Sequence, residues 1–157
     1  MSCYGYHRDT SPVMDSLASS GRIWLNMQAQ APWTLPAMAS ILTGLTVKSH
    51  GCRNYDDGPY GLDPLVPTLA TILLEEGYRT AAFVNVVYLG DIFGLSKDFE
   101  HFFYDGECHG RARVTVDSLL TWLDGDNYEE PFFVFFHLLY AVIHILLRCC
   151  LNLSQTI

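Results

Sequence analysis

Hydrophobic positions along the chain fall into two kinds of run. Around residues 12–20 they recur at helical spacing, with Val13, Met14, Leu17 and Ala18 able to share one face. Ser11 can cap that helix, Pro12 suits its first position and Gly21 ends it. A short strand is expected next, over 23–27. Pro36, with its fixed backbone angle and missing donor, suits the first turn of a second helix that Gly44 stops after Ile41-Leu42-Thr43. Pro67 opens a third helix that runs to Glu76 and stops at Gly77. A fourth, over 111–123, carries Val114, Leu119, Leu120 and Trp122 and breaks at Asp124-Gly125-Asp126-Asn127. The runs at 79–85 and 132–136 are different, being continuously apolar and bounded by turns, the pattern of strands covered on both faces. Between the second and third helices, residues 47–65 are rich in Gly, Pro, Asp and Asn and read as a long surface loop. Helices alternating with short apolar strands predict an α/β fold, a mostly parallel sheet with helices on both faces.

Composition narrows this picture. Half of the 157 residues are apolar, enough for one core and too many for a disordered chain. The formal charge of −8 leaves no basic stripe for nucleic acid and no basic cluster for an anionic membrane. The five cysteines, Cys3, Cys52, Cys108, Cys149 and Cys150, are odd in number and lack metal-type spacing. They read as mostly reduced thiols, and with no secretory signal at the N-terminus the expected compartment is the cytoplasm.

The candidate chemistry sits at the second helix. Thr34 lies at its mouth, where orphan amides and the helix dipole favour an anion such as a phosphate or sulfate ester. The alternative is that Thr34 only caps the helix, a common role for threonine.

Several segments in order carry a resemblance. They are Tyr4-Gly5-Tyr6-His7-Arg8-Asp9-Thr10-Ser11-Pro12, Asp15-Ser16-Leu17-Ala18, Ala31-Pro32-Trp33-Thr34-Leu35-Pro36, Leu42-Thr43-Gly44-Leu45, His50-Gly51 and Leu73-Leu74-Glu75-Glu76-Gly77-Tyr78-Arg79-Thr80-Ala81-Ala82. Over about residues 3–137 the chain resembles the N-terminal part of a sulfatase of the alkaline phosphatase superfamily. The resemblance implies an incomplete alkaline-phosphatase/sulfatase-like fold and hydrolysis of sulfate or phosphate esters, small molecules in the complete enzyme. It places Thr34 where sulfatases carry the Cys or Ser that becomes formylglycine, and Met38 where they carry an Arg. Threonine cannot form that aldehyde, so Thr34 would attack directly, which turns the expected chemistry toward phosphoryl groups. The family's Gly-Lys-x-His segment has no counterpart in 83–90, where Asn85 could donate to an ester oxygen, the alternative being a turn-forming role. The resemblance also implies a divalent metal, usually calcium. Thr34 is the only family ligand position present, because the first Asp pair should precede Tyr4 and the later pair should follow residue 157. No metal is therefore expected on this chain alone. Asp56 and Asp57 read as solvated, His50 as a loop histidine, and His7, His101 and His109 as scattered.

After residue 139 the resemblance stops. Residues 140–150 have permitted codons that, in another frame, read His-Pro-Tyr-Ser-Pro-Pro, so a frameshift near Tyr140 is expected. The domain plan is then a partial sulfatase N-terminal domain, 1–139, and an aberrant apolar tail, 140–157. A membrane span over 132–147 is the rival, and it falls short of the roughly 20 residues a bilayer needs. The functional expectation is a sulfatase-like hydrolase fragment, inactive as this chain. The alternatives are a non-catalytic interaction module and a small membrane-associated protein.

Overall fold

The computed structural model describes residues 1–55, 58–106, 111–125, 130–139 and 141–148, with backbone alone for 55, 59 and 141–148. Asp56, Asp57, Cys108, His109, Cys149 and Cys150, and most of the 140–157 tail, lie outside the described residues or their side chains.

Two strands form the centre because nearly every residue in them is apolar. β3 (Arg79–Val84) and β5 (Phe132–Leu138) run parallel, Thr80 opposite Phe133 and Val84 opposite His137. β4 (His101–Tyr104) lies parallel on the other side of β3, and β6 (Ala141–Arg148) pairs antiparallel with β5, giving the order β4-β3-β5-β6. The expected α/β fold with a mostly parallel sheet is thus present, small and incomplete.

Side-chain alternation divides the core in two, since successive residues of a strand face opposite ways. Ala82, Val84, Phe133 and Phe135 pack on one face with Leu35, Met38, Ala39 and Leu42 of α2 (Thr34–Thr43) and with Leu69, Ala70 and Leu73 of α4 (Leu69–Glu75). Ala81, Phe83, Phe132, Val134 and Phe136 face the other way, against Val116, Leu119 and Trp122 of α5 (Ala112–Gly125). Helices therefore do cover both faces. Phe83 and Phe133 are fully buried, and each such ring contributes roughly 1.5–3 kcal/mol of hydrophobic stabilisation.

Local signals explain the helices. α1 (Pro12–Ser20) starts with proline at its first turn after Ser11, and α2 stops at Gly44 with φ 68. α4 begins with a capping box, the Thr68 side chain accepting from the Thr71 amide while the Thr71 hydroxyl accepts from the Thr68 amide. Two expectations need correction. Residues 23–27 form no strand: nothing pairs with them, and Trp24, Leu25 and Met27 are largely exposed. Within the expected loop, Thr46 caps a short helix α3 (Val47–His50), and β1 (Asn54–Tyr55) pairs with β2 (Gly58–Pro59).

Beyond β2, loops 58–66 and 90–95 cross backbone to backbone. Leu62 N donates to Phe93 O at 2.8 Å. A Cβ on Gly61 would lie 2.7 Å from Phe93 O, and one on Gly94, whose φ is 71, would lie 2.9 Å from Leu62 O. Both positions therefore require glycine.

Candidate active site

Thr34 is the first residue of α2, and the residue capping that helix is Trp33, which makes no side-chain cap bond. The cap reading of Thr34 is thereby corrected. Its hydroxyl is half-buried and has no hydrogen-bond partner among the described residues. The first bond back into the helix runs from Ala37 N to Trp33 O, and Pro36 has no donor. The orphan amides at this mouth are those of Thr34 and Leu35, of which only half-buried Thr34 is accessible, Leu35 being fully buried.

Ring packing places the mouth. Trp33 meets Tyr88 edge to face at 5.4 Å, and Tyr88 lies in the 3-10 turn that follows β3. Thr34 consequently sits beside the carboxyl ends of the parallel strands, the position where open α/β sheets bind ligands. Asn85 occupies the carboxyl end of β3, fully buried, its Oδ1 accepting from Leu139 N at 2.8 Å across the end of β5. The two candidate residues are thus brought to one end of the sheet. Met38 is buried in the core below, where an apolar side chain packs and the arginine of a sulfatase would have to leave that packing.

The structure adds a residue that the motifs did not mark. His137, at the end of β5, is 5% exposed, and its Nδ1 has no hydrogen-bond partner among the described residues. Burial pushes its pKa down. The only advance signal was a histidine in an otherwise apolar strand.

His50 is corrected from a loop histidine to a buried tie. It ends α3, its Nε2 lies 2.9 Å from Ser40 Oγ, and its Nδ1 accepts from Cys52 N at 3.1 Å. With Nδ1 accepting, Nε2 carries the proton and donates to the α2 serine. Both ring nitrogens are committed, and burial holds the pKa low. His7 packs tilted against Tyr6, and His101 against Phe83 and Trp122, far from Thr34 in the chain and with no carboxylate pairing among the described residues.

A broad cleft of about 980 Å³ lies beside His50 between the two crossing loops, lined by Tyr60, Asp63, Asp91 and Ile92 among others. Thr34 does not line it, both His50 nitrogens are occupied, and the Ser49 hydroxyl on its wall is bonded to Thr46 Oγ1 at 3.0 Å.

The residues present do not by themselves suit a divalent cation, which needs several oxygen ligands. Among the described residues no three His, Cys, Asp or Glu side chains cluster, and the Asn85 carbonyl oxygen is already used. Cys3 and Cys52 are free thiols, and burial pushes Cys52 up to about 11. No helix among the described residues is long and apolar enough to cross a membrane.

The sulfatase family model matches residues 1–140. No curated protein and no solved structure matches the chain. With the match spanning nearly all of its 157 residues, over the same parallel strands and the same Thr34 helix, the chain belongs to the sulfatase family.

Proposed function

We propose that this chain carries the nucleophile end of an ester hydrolase whose attacking group is the Thr34 hydroxyl, and that phosphate esters suit it better than sulfate esters. The observation that carries this reading is half-buried Thr34 at the first position of α2, its hydroxyl without a partner among the described residues and its amide orphaned at the helix start. An anionic ester placed there would accept from the Thr34 amide, Leu35 beside it being fully buried, and meet the positive end of the helix dipole. As Oγ bonds to phosphorus, the hydroxyl gives up its proton and the bond to the leaving oxygen breaks, the departing alcohol taking up a proton. Water then cleaves the threonyl phosphate and restores the hydroxyl.

Asn85 acts in this reading by fixing the strand ends through Leu139. Sulfatases generally use a divalent metal, calcium being the expected one. Because the described residues do not fit such a site, no step is routed through it. For the same reason we infer that the chain by itself turns over little. We place the domain boundary after residue 139, supported by the family match ending at residue 140, where the tail begins.

Assays of the full chain on 4-nitrophenyl phosphate and an aryl sulfate, with and without calcium, test this. The sulfate ester should stay intact in every condition, because threonine yields no formylglycine, and any phosphate turnover should vanish in Thr34→Ala. Sulfate turnover, or phosphate turnover that survives Thr34→Ala, would show that Thr34 is not the nucleophile.

A further inference from the structure

The end of β5 holds a feature that packing does not explain. His137 is 5% exposed in a strand otherwise built of Phe, Val and Leu, and its Nδ1 is the one buried side-chain nitrogen or oxygen without a partner among the described residues. A buried polar atom left unpaired costs about 1–3 kcal/mol. Such a group points to a partner that is bound only part of the time.

The strand's alternation shows where the ring faces. Phe132, Val134, Phe136 and Leu138 belong to the α5 side, whereas Phe133, Phe135 and Leu139 belong to the α2 side. His137 lies between Phe135 and Leu139 in that second series. It therefore faces α2. Its register partner on β3 is Val84, the residue before Asn85. The mouth of α2 stands over the same strand ends, held there by Trp33 against Tyr88. The imidazole therefore lies at the strand end on the α2 side of the sheet, the side on which Thr34 opens its helix.

We propose that His137 is a further ligand-contacting residue of this site, donating a hydrogen bond from Nδ1 to an oxygen of the anionic ester held at the α2 mouth. The inference rests on the Thr34 reading and extends it. Ester oxygens of a phosphate accept and do not donate, so the facing nitrogen must carry the proton. The site then offers two donors, the Thr34 amide from α2 and one imidazole from β5. They approach the anion from two elements, which an isolated helix N-terminus cannot do.

The test uses the full chain labelled with 15N and titrated with inorganic phosphate, with chloride at matched ionic strength as the control. The amide signals of Thr34 and Leu35 report the α2 mouth, and the ring nitrogens of His137 report the imidazole. All are expected to shift together and saturate with one dissociation constant. His137→Asn, whose side-chain amide puts a donor near the Nδ1 position, should bind within about threefold of the parent. His137→Leu should bind at least tenfold more weakly, about 1.4 kcal/mol. If the amides shift and the ring nitrogens do not, the histidine inference is wrong and the Thr34 site stands. A ring that shifts without the amides shows that His137 binds the anion elsewhere and overturns the shared site. Silence from both overturns both readings, and a His137→Asn protein no better than His137→Leu rules out the Nδ1 donor.

Discussion

Residues 1–34 and the β3-β5 layer both lie within the family match, yet no residue before Leu35 is buried, whereas five of the six residues of β3 and six of the seven of β5 are. The first region is held by local chemistry. Asp15 accepts from Cys3 N at 2.7 Å and from Ser11 Oγ at 3.1 Å, which ties the start of the chain to α1. Val13, Leu17, Trp24, Leu25 and Met27 remain exposed around that tie. The strands are held by apolar burial from two sides. A motif thus marks ancestry without marking where stability resides. A nine-residue helix with no buried face is marginal in water by propensity alone.

The sharpest way to break this comparison is a pair of truncations. Phe133→Ala, at a fully buried ring, should cost about 3–5 kcal/mol in urea unfolding. Leu17→Ala on α1 should stay within about 0.5 kcal/mol. A loss above about 1 kcal/mol at Leu17 would mean that α1 is part of the cooperative core.

A smaller effect is expected at the tie between α2 and α3. Ser40→Ala leaves the buried His50 Nε2–H without its acceptor and should destabilise by about 1–3 kcal/mol. An unchanged melting temperature would show that the bond is replaced by water.

Smallest and most local is the acid response. Burial holds His50 and His137 below the usual 6.5, so the unfolded chain takes up protons that the folded chain does not. Stability should be whole above that value and decline as pH drops below it. Asp15 works in a lower window. The Cys3 amide holds its carboxyl at about 2 against a usual 3.8, so its contribution is present above 3.8 and is lost as pH falls through about 2. Because Asp15 lies outside the core, protection of the Cys3 amide should disappear in that lower window without a second global transition. A shared transition for Cys3 and β3 would merge the two regions.

The sequence carried the strands and helices wherever one signal sufficed. Ala81-Ala82-Phe83-Val84 is too apolar for any exposed setting, and Gly44 and Gly77, both at positive φ, end their helices as glycine does. What was missed depended on distance. Residues 23–27 have strand composition but no neighbour to pair with, and β4, only four residues long, gains its place from β3 rather than from a pattern of its own. His50 is a core group because of Ser40, ten residues earlier. His137 gains meaning only when α2 and β5 are seen to share a face. The helix that Thr34 opens was legible because Pro36 suits its first turn and Gly44 stops it.

The crossing of the loops at Gly61 and Gly94 has an evolutionary consequence. The walls of the cleft beside His50 are set by main chain against main chain, so its outline does not depend on which side chains line it. Ile92, 77% exposed on that wall, can diversify while the two glycines are pinned. A lineage built on this scaffold can therefore change what the cleft recognises one residue at a time, with no intermediate that has to rebuild the wall.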